Sequence, residues 1–317
     1  MNSQSVLLIG GSGFIGSHIA EKLTARGLSL RIPTRRRERA KHLLPLPTTE
    51  VVQANVHDAA ELAVLCDGMD AVINLVGVLH SAGGDPYGAD FRRAHVELPQ
   101  KIAAACRARG IKRLLHMSAL KAGPAAPSEY LRSKAAGETV VLAAESGLNT
   151  TVFRPSVAFG QGDQFLNLFA SLQRFLPALF LACPDTRFQP VFAGDVAQAL
   201  VRALDAPESY GRTYDLCGPH VYTLRELVAF AGAQCGHPRT IVGLPPALGM
   251  LQATILEFLP GELMSRDNLR SMQVDSVSDA VFPFGIVPTA LEAVAPAYLA
   301  GVTPRDHYAM LRGRAGR

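Results

Sequence analysis

Tyr130 and Lys134 stand four residues apart in Ser128-Glu129-Tyr130-Leu131-Arg132-Ser133-Lys134. On a helix that spacing puts both side chains on one face, with the ammonium near the phenol. A neighbouring positive charge favours phenolate and lowers a tyrosine pKa from its ordinary value of about 10, which makes the phenol usable as an acid or base. The plain alternative is an amphipathic helix with a half-buried Tyr130 and a solvated Lys134. A second cluster offers different chemistry. Val6-Leu7-Leu8-Ile9 runs into Gly10-Gly11-Ser12-Gly13-Phe14-Ile15-Gly16, a strand pattern broken by glycines and resumed as a helix start. Such a turn lets backbone approach a pyrophosphate and aims helix N–H groups at the anion. Gly11, Gly13 and Gly16 spell G-x-G-x-x-G, whereas Gly10, Gly13 and Gly16 spell G-x-x-G-x-x-G. The glycines alone therefore leave the class of dinucleotide-binding protein open, with a simple packing junction as the bland reading.

Cofactor choice is usually made at the end of the second strand, where an acid selects the ribose 2′-OH of NAD and an Arg holds the 2′-phosphate of NADP. Here the strand ends in Pro33-Thr34-Arg35-Arg36-Arg37, with no acid. Arg35, and more weakly Arg36, are assigned to NADP(H), with NAD(H) as the lesser option; Arg37 and Arg39 read as solvated surface charge.

These residues need elements to position them, and the chain supplies an alternating set. Ile15, Ile19 and Leu23 recur at helical spacing, with Gly27 as the cap. Strands are expected at Leu28 to Ile32, Val51-Val52, Ala71 to Val76, Arg113 to Met117 and Thr150 to Phe153. Helices are expected at Ala59 to Leu65, Phe91 to Arg109 and Ser128 to Ser146. Strands and helices that take turns, with short connections, imply right-handed crossovers and a parallel sheet covered on both faces.

Composition bounds the rest. A chain of 317 residues, 48% hydrophobic and 18% charged, can bury a large core and is long for one domain. Its net charge of +4 is mild, and without an aromatic-interleaved basic motif nucleic acid is not an expected partner. The five cysteines are scattered without a C-x-x-C pair, which argues against zinc and a disulfide framework and fits a cytoplasmic protein. No metal site is expected. The first apolar run lacks a basic lead and is interrupted by glycines, so it does not read as a targeting segment. Ile241 to Leu259 carries Pro245, Pro246, Gln252 and Glu257, and its apolar pieces are shorter than the roughly 20 residues a membrane span requires.

Further motifs follow in order: Arg154-Pro155-Ser156 with Phe159-Gly160-Gln161-Gly162-Asp163, then Pro190 to Ala197, then Thr213 to Gly218 with Tyr222 to Leu227. Together with the glycine turn and the Tyr130-Lys134 pair they resemble an extended short-chain dehydrogenase/reductase over roughly residues 5 to 235. His116-Met117-Ser118-Ala119-Leu120 and the tight Tyr130 to Lys134 segment are similar to an atypical branch that includes the nucleotide-binding accessory subunit of mitochondrial respiratory complex I and its bacterial relatives. The resemblance selects Gly10, Gly13 and Gly16, with Phe14 and Ile15, for the dinucleotide. It implies Asn55-Val56 at the adenine, Gly77 beside the adenine ribose, Lys134 on the nicotinamide ribose and Pro155 near the nicotinamide.

Departures from the family pattern bear on mechanism. The hydroxyl residue that orients a substrate carbonyl falls on Ala119, so only Ser118 could serve beside Tyr130 and Lys134. His95 stands where the family has the relay Asn. Arg154 could meet an acidic substrate group, and Asp195 reads as an N-cap for a helix from Val196. Leu244, Leu248, Leu251, Ile255 and Phe258 recur at helical spacing; packing on the main domain leads over a substrate roof or a membrane interface beside the basic tail Arg312, Arg314 and Arg317.

The fold expected is a doubly wound parallel Rossmann sheet over residues 1–160, with returning segments near 190–218, and a smaller, partly interleaved C-terminal domain over 161–317. The leading functional reading is an NADP(H)-dependent reductase or isomerase acting on a carbonyl or sugar-like substrate. The alternative is a non-catalytic NADPH-binding protein with a structural, assembly or quinone-pathway role, peripheral to the inner face of a membrane and with a respiratory complex as partner.

Overall fold

The computed structural model describes residues 4–143, 147–257, 264–300 and 312. The expected helix end at Ser146, the Phe258 and Leu259 end of the apolar stretch, and Arg314 and Arg317 lie outside the described residues.

Six strands follow one another as β1 (Ser5–Ile9), β2 (Ser29–Thr34), β3 (Thr49–Gln53), β4 (Ala71–Asn74), β5 (Arg113–Met117) and β6 (Asn149–Pro155). With the later strand Arg212–Leu216 they form one sheet in the order 212–216, β6, β5, β4, β1, β2, β3. Every pairing in it is parallel. The apolar runs of β1, β4 and β5 are buried along nearly their whole length, as strands covered on both faces must be. One face packs on α1 (Phe14–Ala25) and α7 (Ala193–Ala203), burying Leu8, Ile19, Ile73, Val196 and Leu200. The other packs on α2 (Ala59–Leu65) and α4 (Leu98–Ala108), burying Leu7, Leu62, Val72 and Ile102. Chain order reverses between β1 and β4, which places a ligand crevice above the carboxyl ends of those two strands.

Two local details bear on the site. The helix expected over 91–109 begins at Ala89 as α3 (Ala89–Phe91), loosens into a π-helical turn at Arg92–Glu97 and then continues as α4. That turn meets α5 (Glu129–Ala143) at Gly137, where a Cβ would coincide with the His95 carbonyl oxygen. The arginines after β2 form a 3-10 turn, Arg37–Leu43, pinned to α1 by Ser17 Oγ and His42 Nε2 at 2.9 Å.

A third core cluster joins α6 (Phe165–Phe175), α8 (Leu224–Gln234) and α11 (Leu291–Leu299) through Leu166, Phe169, Leu227, Val228 and Ala295. Of the two returning segments, Arg212–Leu216 extends the main sheet beyond β6, whereas Val191–Phe192 pairs with Ala158–Phe159 outside it. The helix α9 (Pro246–Glu257) buries only Gly249 and Ala253 and leaves Leu248, Leu251 and Ile255 50%, 55% and 56% exposed. The expectation that this apolar stripe packs on the main domain is thus corrected: small residues make the contact, and the large ones face outward beside exposed Phe180 and Val242. Among the described residues, no helix is long and apolar enough to cross a membrane.

Candidate functional site

The glycine turn closes through Gly11 N–H to Leu8 O at 3.2 Å and Gly13 N–H to Gly10 O at 3.1 Å. Its glycines answer to different constraints. Gly10 has φ +83°, a left-handed conformation that disfavours side chains. A Cβ on Gly16 would lie 2.6 Å from Gly10 O and from Gly11 Cα, so this glycine allows the helix to cross the turn. Gly11 is packed as tightly, 2.8 Å from the Leu8 side chain. A Cβ on Gly13 would meet only Gly10 O, at 3.3 Å, and otherwise open space. Gly13 is also the N-cap of α1, with no side-chain cap and no acid in the first turn. Uncapped N–H groups, the positive end of the helix dipole and a bare cradle together fit a pyrophosphate.

Gly77, just beyond β4, is brought against the helix that carries the Tyr-Lys pair. A Cβ there would lie 3.0 Å from Lys134 Nζ and 3.6 Å from His95 Nε2. Lys134 is buried and donates to Met117 O at 3.2 Å. Burial pulls its pKa down to about 8, with Glu138 opposing. Tyr130 lies edge-on to His95 and Phe91, with ring centroids 5.6 and 6.1 Å away. Its phenol is pushed up to about 12 by burial. The expected lowering by Lys134 is therefore overturned: Lys134 turns its ammonium to a backbone carbonyl, and desolvation of the phenol dominates.

His95 and His116 flank Lys134. His95 Nε2 accepts from Val78 N–H at 3.0 Å, so the ring carries its proton on Nδ1, which meets Ser133 Oγ at 2.8 Å. Both nitrogens are occupied, and His95 pins the strand-end loop instead of presenting a relay group. His116 Nδ1 pairs with Asn74 Nδ2 at 3.2 Å, while His116 Nε2 is buried without a partner. Burial, then the Lys134 charge, holds His95 far below the usual imidazole range and His116 at about 3. Ser118 Oγ is likewise buried and unbonded, so no hydrogen bond joins it to Tyr130 or Lys134.

At the far end of the crevice, Arg35 and Arg36 are exposed just past β2. Asn55 has its Oδ1 taken by His57 N–H at 3.1 Å, leaving its amide N–H groups free, and Val56 is half-buried against the core. The His57 imidazole is held below its usual range by burial and then by the charges of Arg93, Lys101 and Arg35, with Glu97 opposing. Pro155 ends β6 and accepts from Leu120 N–H at 3.0 Å.

Two sequence readings change. Arg154 is committed to Glu138 in a partly buried ion pair, with Nε to Oε1 at 2.7 Å, and is not free for an acidic substrate. Asp195 lies inside the first turn of α7, which begins at Ala193, so it is not the N-cap. Its carboxylate instead holds Thr289 through the backbone N–H at 2.6 Å and the hydroxyl at 3.2 Å. Sequence reasoning also missed Glu129 and Asp267. Glu129 Oε2 accepts from Gly84 and Gly88 N–H at 3.1 and 2.9 Å, and Asp267 accepts from Glu129 and Tyr130 N–H at 2.7 and 3.0 Å. Only chain reversal in three dimensions brings these partners together. Among the described residues, no group of three His, Cys, Asp or Glu is placed to hold a metal ion.

Comparison with known proteins agrees with this architecture. The chain is 30% identical over 296 residues to NADH dehydrogenase [ubiquinone] 1 alpha subcomplex subunit 9, mitochondrial, of Arabidopsis thaliana, covering 87% of this chain and 72% of that protein. The Mus musculus protein of the same name is 28% identical, covering 90% and 77%. The solved structure of MoeE5 in complex with UDP-glucose and NAD superposes with a TM-score of 0.72 at 18% identity, covering 96% of this chain and 99% of that one, which establishes the shared fold. The model of the NAD dependent epimerase/dehydratase family matches residues 6–217, and the chain accordingly belongs to that family of extended short-chain dehydrogenases/reductases.

Proposed function

We propose that the chain holds NADP(H) as a bound, non-reacting nucleotide and serves as an accessory protein docked to a respiratory NADH dehydrogenase. The observation that carries this reading is a contrast within one crevice. The cradle is complete: Gly13 is bare, α1 is uncapped, and Lys134 faces Gly77. The proton-moving groups are not: Ala119 supplies no hydroxyl, Ser118 stands apart and His95 is fully engaged. In this reading Gly10, Gly13, Phe14, Ile15 and Gly16 take the pyrophosphate, Asn55 and Val56 the adenine, Gly77 the adenine ribose, Lys134 the nicotinamide ribose, and Pro155 borders the nicotinamide.

Arg35, with Arg36 beside it, is assigned to the 2′-phosphate. The exposure of both arginines just past β2 and the absence of an acid from Pro33 to Arg37 support this, since an Arg there can hold the 2′-phosphate. Relatives named as NADH dehydrogenase [ubiquinone] subunits and the outward apolar residues of α9, with exposed Phe180 and Val242, support a protein partner at the inner side of a membrane.

A second reading, reduction of a carbonyl substrate, is favoured by Tyr130 and Lys134 sharing the crevice. A protonated phenol can donate to a developing alkoxide, while the nicotinamide supplies hydride. Extraction of the nucleotide from purified protein tests the first reading: NADP(H) that survives purification and is oxidised by no carbonyl panel is expected. Turnover of any panel member that Tyr130→Phe abolishes, with NADPH affinity kept, would replace it with the second. Arg35→Asp should weaken NADPH about tenfold or more, and NADH far less; equal wild-type affinities would remove the NADP assignment.

A further inference from the structure

The first turn of α5 is satisfied from two sources. Ser128 serves the inner pair of N–H groups, its Oγ accepting from Leu131 at 3.2 Å and its carbonyl from Arg132 at 3.1 Å. Glu129 and Tyr130 N–H instead go to the two oxygens of one carboxylate, Asp267, at 2.7 and 3.0 Å. Asp267 belongs to the short helix α10 (Arg266–Ser271), which has its own capping box between Ser265 and Asn268. Its side chain is therefore not spent on its own helix.

From there the chain crosses the carboxyl edge of the sheet and is fastened at each step. Met272 O accepts from Thr186 Oγ1 at 2.7 Å, Asp275 pairs with Arg187 at 2.8 Å, Ser276 O accepts from Ser156 Oγ at 2.9 Å, and Ser278 Oγ donates to Asp215 at 2.8 Å. Segment 265–278 thus runs from the Tyr130 end of α5 to Ser156, next to the Pro155 that the reading above sets at the nicotinamide, and on to the end of the strand Arg212–Leu216. Glu129, next to Tyr130, holds the loop between β4 and α3 through Gly84 and Gly88.

We infer that Asp267 is the positioning residue of this site: by taking the N–H groups of Glu129 and Tyr130, it fixes the turn that carries Tyr130 and ties closure of segment 265–278 to retention of the dinucleotide. This rests on the dinucleotide reading above. The carboxylate is suited to the task, because both oxygens are engaged at the positive end of a helix dipole. Without it the two N–H groups lose their partners, and the segment loses its first attachment.

The test has two readouts in full-length protein. Phenolate difference absorbance, wild type minus Tyr130→Phe, reports Tyr130 itself. In Asp267→Ala the Tyr130 titration is expected to move from about 12 toward the ordinary value of about 10 as the phenol gains water. Asp267→Asn, which keeps one acceptor oxygen, should restore most of the wild-type titration. NADPH release from Asp267→Ala should be roughly three- to thirtyfold faster, with Asp267→Asn between. An unchanged Tyr130 titration in a folded Asp267→Ala protein overturns the positioning role whether or not NADPH binds. A shifted titration with unchanged release overturns the retention role, and absence of NADP(H) binding in the wild type overturns the functional reading while leaving the titration result to stand. Should Asp267→Ala fail to fold, Asp267→Ser, whose short side chain cannot reach both N–H groups, carries both measurements with the outcomes set for Asp267→Ala.

Discussion

Gly13 and Gly16 stand three residues apart and their replacement separates ligand from packing. Gly16→Ala forces a methyl to within 2.6 Å of backbone at Gly10 and Gly11, so a loss of roughly 1–3 kcal/mol in urea-unfolding free energy is expected from overpacking. Gly13→Ala meets only Gly10 O at 3.3 Å and places its methyl in the cradle. It should unfold within about 1 kcal/mol of wild type yet lose dinucleotide affinity by about tenfold or more, measured by NADPH titration. Equal effects of the two substitutions on stability would mean that Gly13 is also a packing glycine. Both positions were legible in the sequence as members of a glycine pattern. Their different duties were not, because the contacts a Cβ would make come from neighbouring strands and turns.

At the scale of elements, α5 and the π-helical turn act as one unit. Gly137 lets the helix close onto the His95 carbonyl, His95 bonds Ser133 and Val78, and Lys134 lies between His95 and His116. Gly137→Ala is expected to open this contact and cost on the order of 1–3 kcal/mol, read by thermal or urea unfolding. The same unit predicts an acid limb. His116 is buried neutral with its pKa at about 3, whereas in the unfolded chain it sits near 6.5. Below about pH 6.5 the unfolded state binds a proton that the folded state does not, so stability falls as pH drops through that range and continues to fall toward about 3. His95 contributes in the same direction. His116→Gln should therefore lose less stability than wild type between about pH 7 and pH 5, by on the order of 1–2 kcal/mol. The spacing of Tyr130 and Lys134 was visible along the chain. The sign of the Tyr130 shift was not, because burial is set by Phe91, His95 and the elements packed above, and desolvation outweighs a cation whose nearest partner is Met117 O.

For the whole molecule, remote parts of the chain meet along the carboxyl edge of the sheet: the glycine turn after β1, and segment 265–278 at Ser156 and Asp215. A ligand that binds only the folded state stabilises it by mass action, about 2.7 kcal/mol at one hundred times its Kd. NADPH is thus expected to raise the melting temperature more than NADH at equal concentration, by differential scanning calorimetry. The exposed apolar face of Phe180, Val242, Leu248, Leu251 and Ile255 belongs to this scale as well. Its helical periodicity was readable, but periodicity cannot say which side of a helix meets the protein when small residues such as Gly249 and Ala253 make the contact.

The parallel sheet, the glycine turn and the alternation that sets the strands beside one another are written along the chain, because they follow from local spacing, glycine conformation and the burial both faces of such a sheet require. What the site residues can do depends on how the folded chain surrounds them. Folding commits Arg154 to Glu138, Asp195 to Thr289 and His95 to Val78 and Ser133, leaves Ser118 unbonded, buries the Tyr130 phenol and brings Asp267 to the start of α5. Each of these depends on a partner remote in the chain or on the loss of water around a side chain, and neither is written in spacing.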